Sequence, residues 1–149
     1  MGEAMRSLRN GIGRSLAPVF ALLDQSPSGA IDPQWREKLV GEREEFARAL
    51  DAGDQLGAAT ELADIVYYTA KWYVHYEATR GIGGDNAPHL LGITMRAAQL
   101  SLSLDEAIAV CLAKYETRFA NNEARGGCGK DDAAERAAVA AALGWEAAP

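Results

Sequence analysis

Four acidic residues in two short segments are the side chains of this sequence best placed to do chemistry. Glu42 and Glu45 lie three residues apart in the segment GEREEF. Glu61 and Asp64 have the same spacing in TELADIVYY. On a helix, side chains three residues apart lie on the same side, with about 5 to 6 Å between their Cβ atoms. Two carboxylates so placed repel each other, and the repulsion grows when water is excluded.

The neighbours of these acids predict that they are partly buried. Glu42 lies along the edge of an apolar helical stripe, whereas Glu44 points away to solvent. In the second segment most of the helix circumference is apolar, so Glu61 and Asp64 share the remaining face with aromatic rings. The stripe of the first segment is Trp35, Leu39, Phe46 and Leu50, and the rings beside the second pair belong to Tyr68, Trp72 and His75. Neither pair is therefore expected on a plain solvent-exposed surface.

A divalent cation is the compensation that this arrangement favours. The turn DAGD at residues 51–54 is short, so the two helices are antiparallel neighbours and the two pairs converge on one cavity. Four carboxylates there are strongly destabilising unless cations compensate them. Mg²⁺ prefers oxygen ligands of this kind, and Mn²⁺ can substitute for it. The predicted metal ligands and catalytic residues are Glu42, Glu45, Glu61 and Asp64.

A di-iron centre and a solvated helix face are the alternative interpretations of these acids. A di-iron bundle requires Glu-x-x-His. Here Trp72 stands three residues before His75, and Asn86 stands three residues before His89. A solvated face is the simpler interpretation of either acidic pair taken alone. Two pairs on adjacent helices, each beside an apolar stripe, favour the metal site.

At these residues the sequence resembles the all-α nucleoside triphosphate pyrophosphatases, a superfamily of MazG-like enzymes, dimeric dUTPases and phosphoribosyl-ATP pyrophosphohydrolases. Their hallmark is Glu-Glu-x-x-Glu on one helix, followed after a short interval by Glu-x-x-Asp on the next. Residues 38–50, KLVGEREEFARAL, and 61–71, ELADIVYYTAK, are similar to these segments in order and in gap. The first hallmark position is Gly41 instead of Glu, and Glu42 and Glu45 occupy the positions that would bind metal.

A later segment carries the basic part of the resemblance. Residues 103–122, SLDEAIAVCLAKYETRFANN, are similar to a family helix in which Lys-Tyr-x-x-Arg follows an apolar run. The resemblance implies that the cations of this segment, and an amide nearby, face the phosphates of the substrate. These residues are Lys114, Arg118, Asn121 and Asn122. Without the resemblance, an exposed helix face is the simpler interpretation of Lys-Tyr-x-x-Arg.

The resemblance implies a Mg²⁺-dependent nucleoside triphosphate pyrophosphohydrolase. Attack of water at the α-phosphorus would release pyrophosphate and a nucleoside monophosphate, and removal of non-canonical nucleotides is one use of such an activity. Two alternatives remain open. One is the narrower phosphoribosyl-ATP pyrophosphohydrolase, whose compact form is shorter than this chain. The other is a non-catalytic helical module that binds a nucleotide or a protein, although such a module has no reason to keep four like charges together.

The elements that must position these residues are predicted to be helices. Ala, Leu and Glu dominate and β-branched residues seldom cluster, so helix is expected wherever Gly and Pro do not interrupt. We predict an all-α, antiparallel bundle of five or six helices in a single domain spanning residues 1–149. The predicted helices cover about residues 5–23, 33–51, 55–79, 89–100 and 104–121, and a final helix ends near Gly144. Asp32 and Ser103 are the predicted N-caps of the second and fifth helices.

An oligomer is expected from the same pattern. Two long helices with acids on one face and apolar residues on most of the rest need a partner to cover the apolar remainder. The resemblance implies a homodimer or homotetramer in which paired helices complete a four-helix-bundle core. Each active site would then borrow residues across the interface.

The glycine-rich segment GGCGK at residues 126–130 is not a phosphate-binding loop by its sequence. Ala124 occupies the position of the first glycine of G-x-x-x-x-G-K, and Asp131 stands where Ser or Thr is needed. The segment is more simply the end of a helix.

Composition narrows the class of partner. The chain has 149 residues, of which 48% are apolar and 24% charged, as in an ordinary globular domain. A net charge of -6 argues against binding a nucleic-acid polymer, which needs a basic face. No apolar run is long enough for a membrane span, and the N-terminus has no continuous signal-peptide core, so a cytoplasmic location is expected. Two cysteines provide neither a disulfide framework nor a zinc site.

Overall fold

Helices make up most of the part of the chain that the computed structural model describes, namely residues 15–26, 34–80, 87–125 and 130–146. The helices are α1 (Ala17–Leu23), α2 (Trp35–Asp51), α3 (Gln55–Arg80), α4 (Ala87–Gln99), α5 (Leu104–Arg125) and α6 (Asp132–Leu143). No strand occurs within these ranges, and the prediction of an all-α bundle is confirmed.

The helix bounds differ from the predicted ones where the local signal is weak. α5 continues to Arg125, past the predicted end at residue 121, because neither Gly nor Pro interrupts it before Gly126. The predicted N-cap Asp32 and residues 5–14 of the predicted first helix lie outside the described residues.

The start of α5 has the reciprocal capping pattern that its sequence predicts. The backbone N–H of Glu106 donates to Ser103 Oγ at 3.1 Å, and the backbone N–H of Ser103 donates to Glu106 Oε1 at 3.1 Å. At the start of α3, the Oδ1 atom of Asp54 accepts from the backbone N–H of Gly57 at 2.9 Å. A Cβ atom at position 57 would collide with that carboxylate, so glycine leaves room for the cap.

The turn at residues 52–54 makes α2 and α3 antiparallel neighbours, as predicted. Gly53 adopts a φ of +74°, a left-handed conformation that is free of strain in glycine. α3 is the central helix and packs against each of the other helices given above. Between Leu56 and Val74, only Glu61 and Tyr68 are partly exposed. They lie about two turns apart on one face, so α3 presents a narrow polar line from an otherwise buried surface.

Trp72 lies about three turns beyond Glu61 on the same side of α3, as the sequence predicts, but it is buried where Glu61 and Tyr68 are partly exposed. Its ring is buried and meets the ring of Trp35 edge-on, with 5.8 Å between centroids. This contact joins α2 to α3 below the acids. His75 remains half-buried and lies 6.3 Å from the Trp35 ring.

Three large hydrophobic side chains are exposed on the surface of the described residues. Val40 on α2 and Leu91 and Met95 on α4 are large hydrophobic side chains with 49%, 58% and 59% of their surface exposed. No helix in the described ranges has both the length and the apolar character needed to cross a bilayer.

Candidate functional site

Three carboxylates from two helices converge beside the α2–α3 hairpin. Glu42 and Glu45 lie on α2 and Glu61 lies on α3, and one oxygen from each lies within 4.8 Å of the others. Glu42 and Glu61 are half-buried, whereas Glu45 is exposed. We call these three residues the acidic cluster. Their meeting follows from the helical spacing on α2 and from the tight turn that folds α3 back along it.

Positive charge compensates the acidic cluster only in part, through the Lys114 ammonium, which opposes the rise in the pKa of Glu61. Glu42 Oε2 and Glu61 Oε2 are buried, and neither has a hydrogen-bond partner among the described residues. Burial, a hydrogen bond with Glu61 and the charge of Asp64 raise the pKa of Glu42 to about 10. Burial raises the pKa of Glu61 to about 7, although its hydrogen bond with Glu42 opposes the shift. The raised pKa values favour protonation over two adjacent ionised carboxylates, and a hard divalent ion bound to these oxygens would relieve the same repulsion.

Asp64 is bound differently from the other three predicted ligands. Its Oδ2 accepts from Lys114 Nζ at 2.7 Å, and its Oδ1 accepts from the Tyr115 hydroxyl at 2.7 Å. Lys114 Nζ also donates to the backbone carbonyl of Thr60 at 3.2 Å. Asp64 and Lys114 are both buried, with 7% and 4% of their surfaces exposed. The structure therefore sets Asp64 beside the acidic cluster, in a buried ion pair between α3 and α5.

Arg118, the second cation predicted on α5, also has a carboxylate partner. Its Nε and Nη2 atoms donate to the two oxygens of Glu135 at 3.0 and 2.8 Å. Glu135 is almost fully buried, and the guanidinium lies 4.9 Å from the centre of the Tyr115 ring. This two-pronged bond fixes α6 to α5. Glu135 has no recognisable motif, because the alanine-rich segment DAAERAAVAAAL contains only one other acid, Asp132, and no family pattern around them.

The acids and cations line one cavity of about 540 Å³. Its size is typical of small-molecule sites, which span about 300 to 1,000 Å³. The acidic cluster and Asp64 form one side, and Tyr68 lies on the same wall. Burial and the charges of Asp64 and Glu42 raise the pKa of Tyr68 to about 12, so this hydroxyl keeps its proton near neutral pH. The cationic side chains of the lining are Lys114, Arg118, Lys130 and Arg136.

Two of these cations, Lys130 and Arg136, were not identified from the sequence. Arg136 donates from Nη1 and Nη2 to the Asp54 carboxylate at 3.4 and 3.2 Å. Hydrogen bonds from Arg136 and from the Gly57 N–H hold the pKa of Asp54 below its usual range. Lys130 is exposed at the cavity. It ends the GGCGK segment, so the lysine of that segment reaches the cavity although the segment lacks the pattern of a phosphate loop.

Asn121 and Asn122 do not line this cavity. Asn122 lines a different pocket of about 430 Å³, together with Gln25 and Glu116. The side-chain nitrogen of Asn121 is buried and has no partner within the described part of the chain. Both residues lie about one turn beyond Arg118 on α5, which carries them past the rim.

Comparisons with known proteins found no match. No protein-family model, no curated protein and no solved structure is similar enough to this chain to be identified as a relative. Functional inference consequently depends on the residues and geometry described above.

Proposed function

We propose that this chain is a divalent-metal-dependent hydrolase that converts a nucleoside triphosphate into a nucleoside monophosphate and pyrophosphate. One observation carries the proposal: the oxygens of Glu42, Glu45 and Glu61 lie within 4.8 Å of one another, on a cavity that also holds cationic side chains. Acids alone would repel a polyphosphate, and cations alone would not activate water. Both together suit a triphosphate bound through metal.

The acidic cluster would hold Mg²⁺ or Mn²⁺ in this proposal. When bound, the cation would lower the pKa of a water molecule and polarise the phosphoryl group. Glu45 is exposed, so solvent and substrate would reach the cluster from its side. Glu42 and Glu61 are half-buried and would form the less hydrated side of the cluster. Asp64 would join the ligands only by exchanging its bond to Lys114 or Tyr115. Its direct role in the proposal is to hold the Lys114 ammonium at the cavity.

The proposed reaction is hydrolysis of the α–β anhydride. The water oxygen bonds to the α-phosphorus, and the bond from that phosphorus to the bridging oxygen breaks. Pyrophosphate leaves with the bridging oxygen, and the proton of the water passes to a base or to solvent. Lys114 and Arg118 remain candidates to stabilise the leaving charge, because each has more N–H donors than its carboxylate partner uses.

A nucleotide-binding module without turnover is the second candidate function. The observation that favours it is that Asp64, one of the predicted metal ligands, already accepts hydrogen bonds from Lys114 and Tyr115. Such a module would bind nucleotide and metal but would not release pyrophosphate. Phosphoribosyl-ATP is a substrate of the same reaction type and belongs in the same assay.

The proposal includes a second copy of the chain. Support comes from Leu91 and Met95, which lie one turn apart on α4 and are more than half exposed. Between α4 and α2 lies a pocket of about 340 Å³ whose lining includes Phe46 and Leu50. An apolar strip of this kind suits a homodimer contact in the cytoplasm, where the proposed substrates occur.

Pyrophosphate release from a panel of canonical and modified triphosphates, with phosphoribosyl-ATP included, tests the proposed activity. We expect Mg²⁺-dependent release by the wild type and a loss of at least about 100-fold in Glu61→Gln. Glu44→Gln is the matched control, because Glu44 is exposed on α2 between the two cluster residues. Absence of metal-dependent release from every substrate would eliminate the enzymatic proposal and favour the binding module.

A further inference from the structure

We propose that Lys130, just before α6, and Arg136, on α6, form the anion-binding wall of the cavity and bind the β- and γ-phosphates of the substrate. The inference rests on the proposed function and adds phosphate contacts from residues outside the Lys-Tyr-x-x-Arg segment. The ligand class is an inorganic or nucleoside polyphosphate carried with a divalent cation.

Lys114 and Arg118, the two α5 cations that line the cavity, already donate hydrogen bonds to carboxylates. Lys114 is buried, with donors directed at Asp64 and at the Thr60 carbonyl. Arg118 donates twice to Glu135, of which 1% is exposed. Withdrawing either cation would leave a buried carboxylate without compensation, which is costly. Their principal role is thus to hold α3, α5 and α6 together around the cavity.

Neither Lys130 nor Arg136 is paired with a buried carboxylate in the described ranges. Within the described ranges Lys130 has no carboxylate partner, and it is exposed on the cavity. The pair of Arg136 with Asp54 is longer, at 3.2 Å, and its side chains are 35% and 44% exposed. Exposed pairs of this kind contribute little stability and exchange readily. A phosphate can therefore take the guanidinium from Asp54, and arginine binds phosphate in a two-pronged manner.

The position of α6 makes this wall rigid. Asp132, Glu135 and Arg136 are spaced as one helical face, and all three line the cavity. Glu135 anchors that face through Arg118, so the adjacent Arg136 is held at the cavity lining. Metal at the cluster, Arg136 on α6 and Lys130 just before α6 would then share the contacts to a polyphosphate.

Titration calorimetry with tripolyphosphate and Mg²⁺ tests the inference without requiring turnover. We expect Arg136→Ala and Lys130→Ala each to bind at least about tenfold more weakly than wild type, the usual effect of losing one charge-assisted contact. Arg48→Ala, an exposed arginine of α2 outside the cavity, should bind like the wild type. Affinity of Arg136→Ala and Lys130→Ala within twofold of wild type would overturn the inference, as would absence of tripolyphosphate binding by the wild type.

Asp54→Asn separates phosphate binding from a structural role of Arg136. Asn keeps the oxygen that caps Gly57 but removes the charge that competes for the guanidinium. If Arg136 binds phosphate, Asp54→Asn binds tripolyphosphate as tightly as wild type or more tightly. If Arg136 acts only through its pair with Asp54, this variant is as weak as Arg136→Ala, and the inference fails.

Turnover distinguishes failure of this inference from failure of the proposed function. If the wild type is active and the KM values of Lys130→Ala and Arg136→Ala are unchanged, this inference fails and the proposed function stands. Weakened tripolyphosphate binding in these variants, with no hydrolysis by the wild type, would support the anion-binding wall and refute the enzyme. Mn²⁺ affinity should stay unchanged in both variants, because neither cation belongs to the acidic cluster.

Discussion

At the scale of single residues, Glu42 is the most unusual group, because its pKa of about 10 keeps a carboxyl group protonated at neutral pH. Its Oε2 atom is buried with no hydrogen-bond partner among the residues described. A half-buried acid in this state is a poor structural element, since Leu or Gln would be less costly at the same position. The state is reasonable for a ligand that exchanges its proton for a metal ion.

Replacing Glu42, a proposed ligand, should weaken metal binding. Glu42→Gln retains size and hydrogen-bonding capacity but cannot become an anion, so Mn²⁺ affinity measured by calorimetry should fall about tenfold or more. Glu44→Gln, on the exposed side of α2, should bind Mn²⁺ like the wild type. Equal affinities in the two variants would remove Glu42 from the site.

The raised pKa of Glu61 predicts how stability depends on pH in the metal-free protein. Folding raises this pKa from 4.5 to about 7. The folded state therefore binds the proton more tightly than the unfolded chain does, and the free energy of unfolding falls as pH rises from about 5 through 7. Because the side chain is partly solvated, we expect a loss of roughly 1 to 2 kcal/mol.

Denaturant unfolding in EDTA at several pH values between 5 and 8 measures this loss. Glu61→Gln has no proton to release there, so its unfolding free energy should vary less with pH. Adding Mg²⁺ to the wild type should restore stability most at the alkaline end, where Glu61 is ionised. A wild-type profile no steeper than that of Glu61→Gln would contradict the expectation.

At the scale of elements, the contact of α3 with α5 depends on the buried group of Asp64, Lys114 and Tyr115. Lys114→Met removes the ammonium and leaves Asp64 with only the Tyr115 hydroxyl. The uncompensated carboxylate should cost about 3 to 5 kcal/mol of unfolding free energy at neutral pH. The double variant Asp64→Asn with Lys114→Met should recover part of this loss, since no buried charge remains.

Unfolding by urea, followed by circular dichroism, measures both variants. Lys38→Met is a suitable control, because Lys38 is half-buried and lies over the Tyr68 ring at 5.7 Å without belonging to the buried group. If Lys114→Met were no less stable than Lys38→Met, the buried pair would not be what joins α3 to α5.

Sequence alone predicted those parts of the elements and site that depend on local spacing. The periods of α2 and α3 brought Glu42, Glu45 and Glu61 onto facing surfaces, and the short turn between the helices fixed their pairing. The capping box at Ser103 likewise set the start of α5, since its partners lie within one turn. These features involve residues close in the chain, so propensity and periodicity suffice.

The remaining features depend on contacts between distant residues. Asp64 and Lys114 stand 50 positions apart in the chain, and no local pattern indicates that they pair. Arg136 reaches Asp54 across 82 positions for the same reason. The faces of the alanine-rich helix α6 differ little in apolar character, so its sequence does not indicate which face packs on α5. The sequence therefore does not assign Lys130 and Arg136 to the cavity, because their positions depend on how the helices pack.

At the scale of the whole molecule, the exposed strip of Leu91 and Met95 predicts self-association. Light scattering after size exclusion should give a dimer or tetramer for the wild type. Leu91→Glu adds a charge to the strip and should shift the protein to monomer at micromolar concentration. Ala141→Glu, on an exposed position of α6, is the control and should leave the oligomer intact. A monomeric wild type would contradict this part of the proposal.

At the same scale, the proposed function must account for a net charge of -6 in a protein with a polyanionic substrate. Long-range attraction cannot draw a triphosphate to an acidic protein, so the proposed binding would depend on metal at the acidic cluster and on cations at short range. Affinity for nucleotide should consequently disappear in EDTA.

Phosphorus NMR of a triphosphate mixture, incubated with the protein and Mg²⁺ in ¹⁸O-labelled water, tests the central claim most directly. The proposal predicts pyrophosphate without the label, and a nucleoside monophosphate that carries one ¹⁸O on its phosphorus. Addition of EDTA or the Glu61→Gln change should abolish both products. Unchanged triphosphates, or release of labelled orthophosphate in place of pyrophosphate, would contradict it.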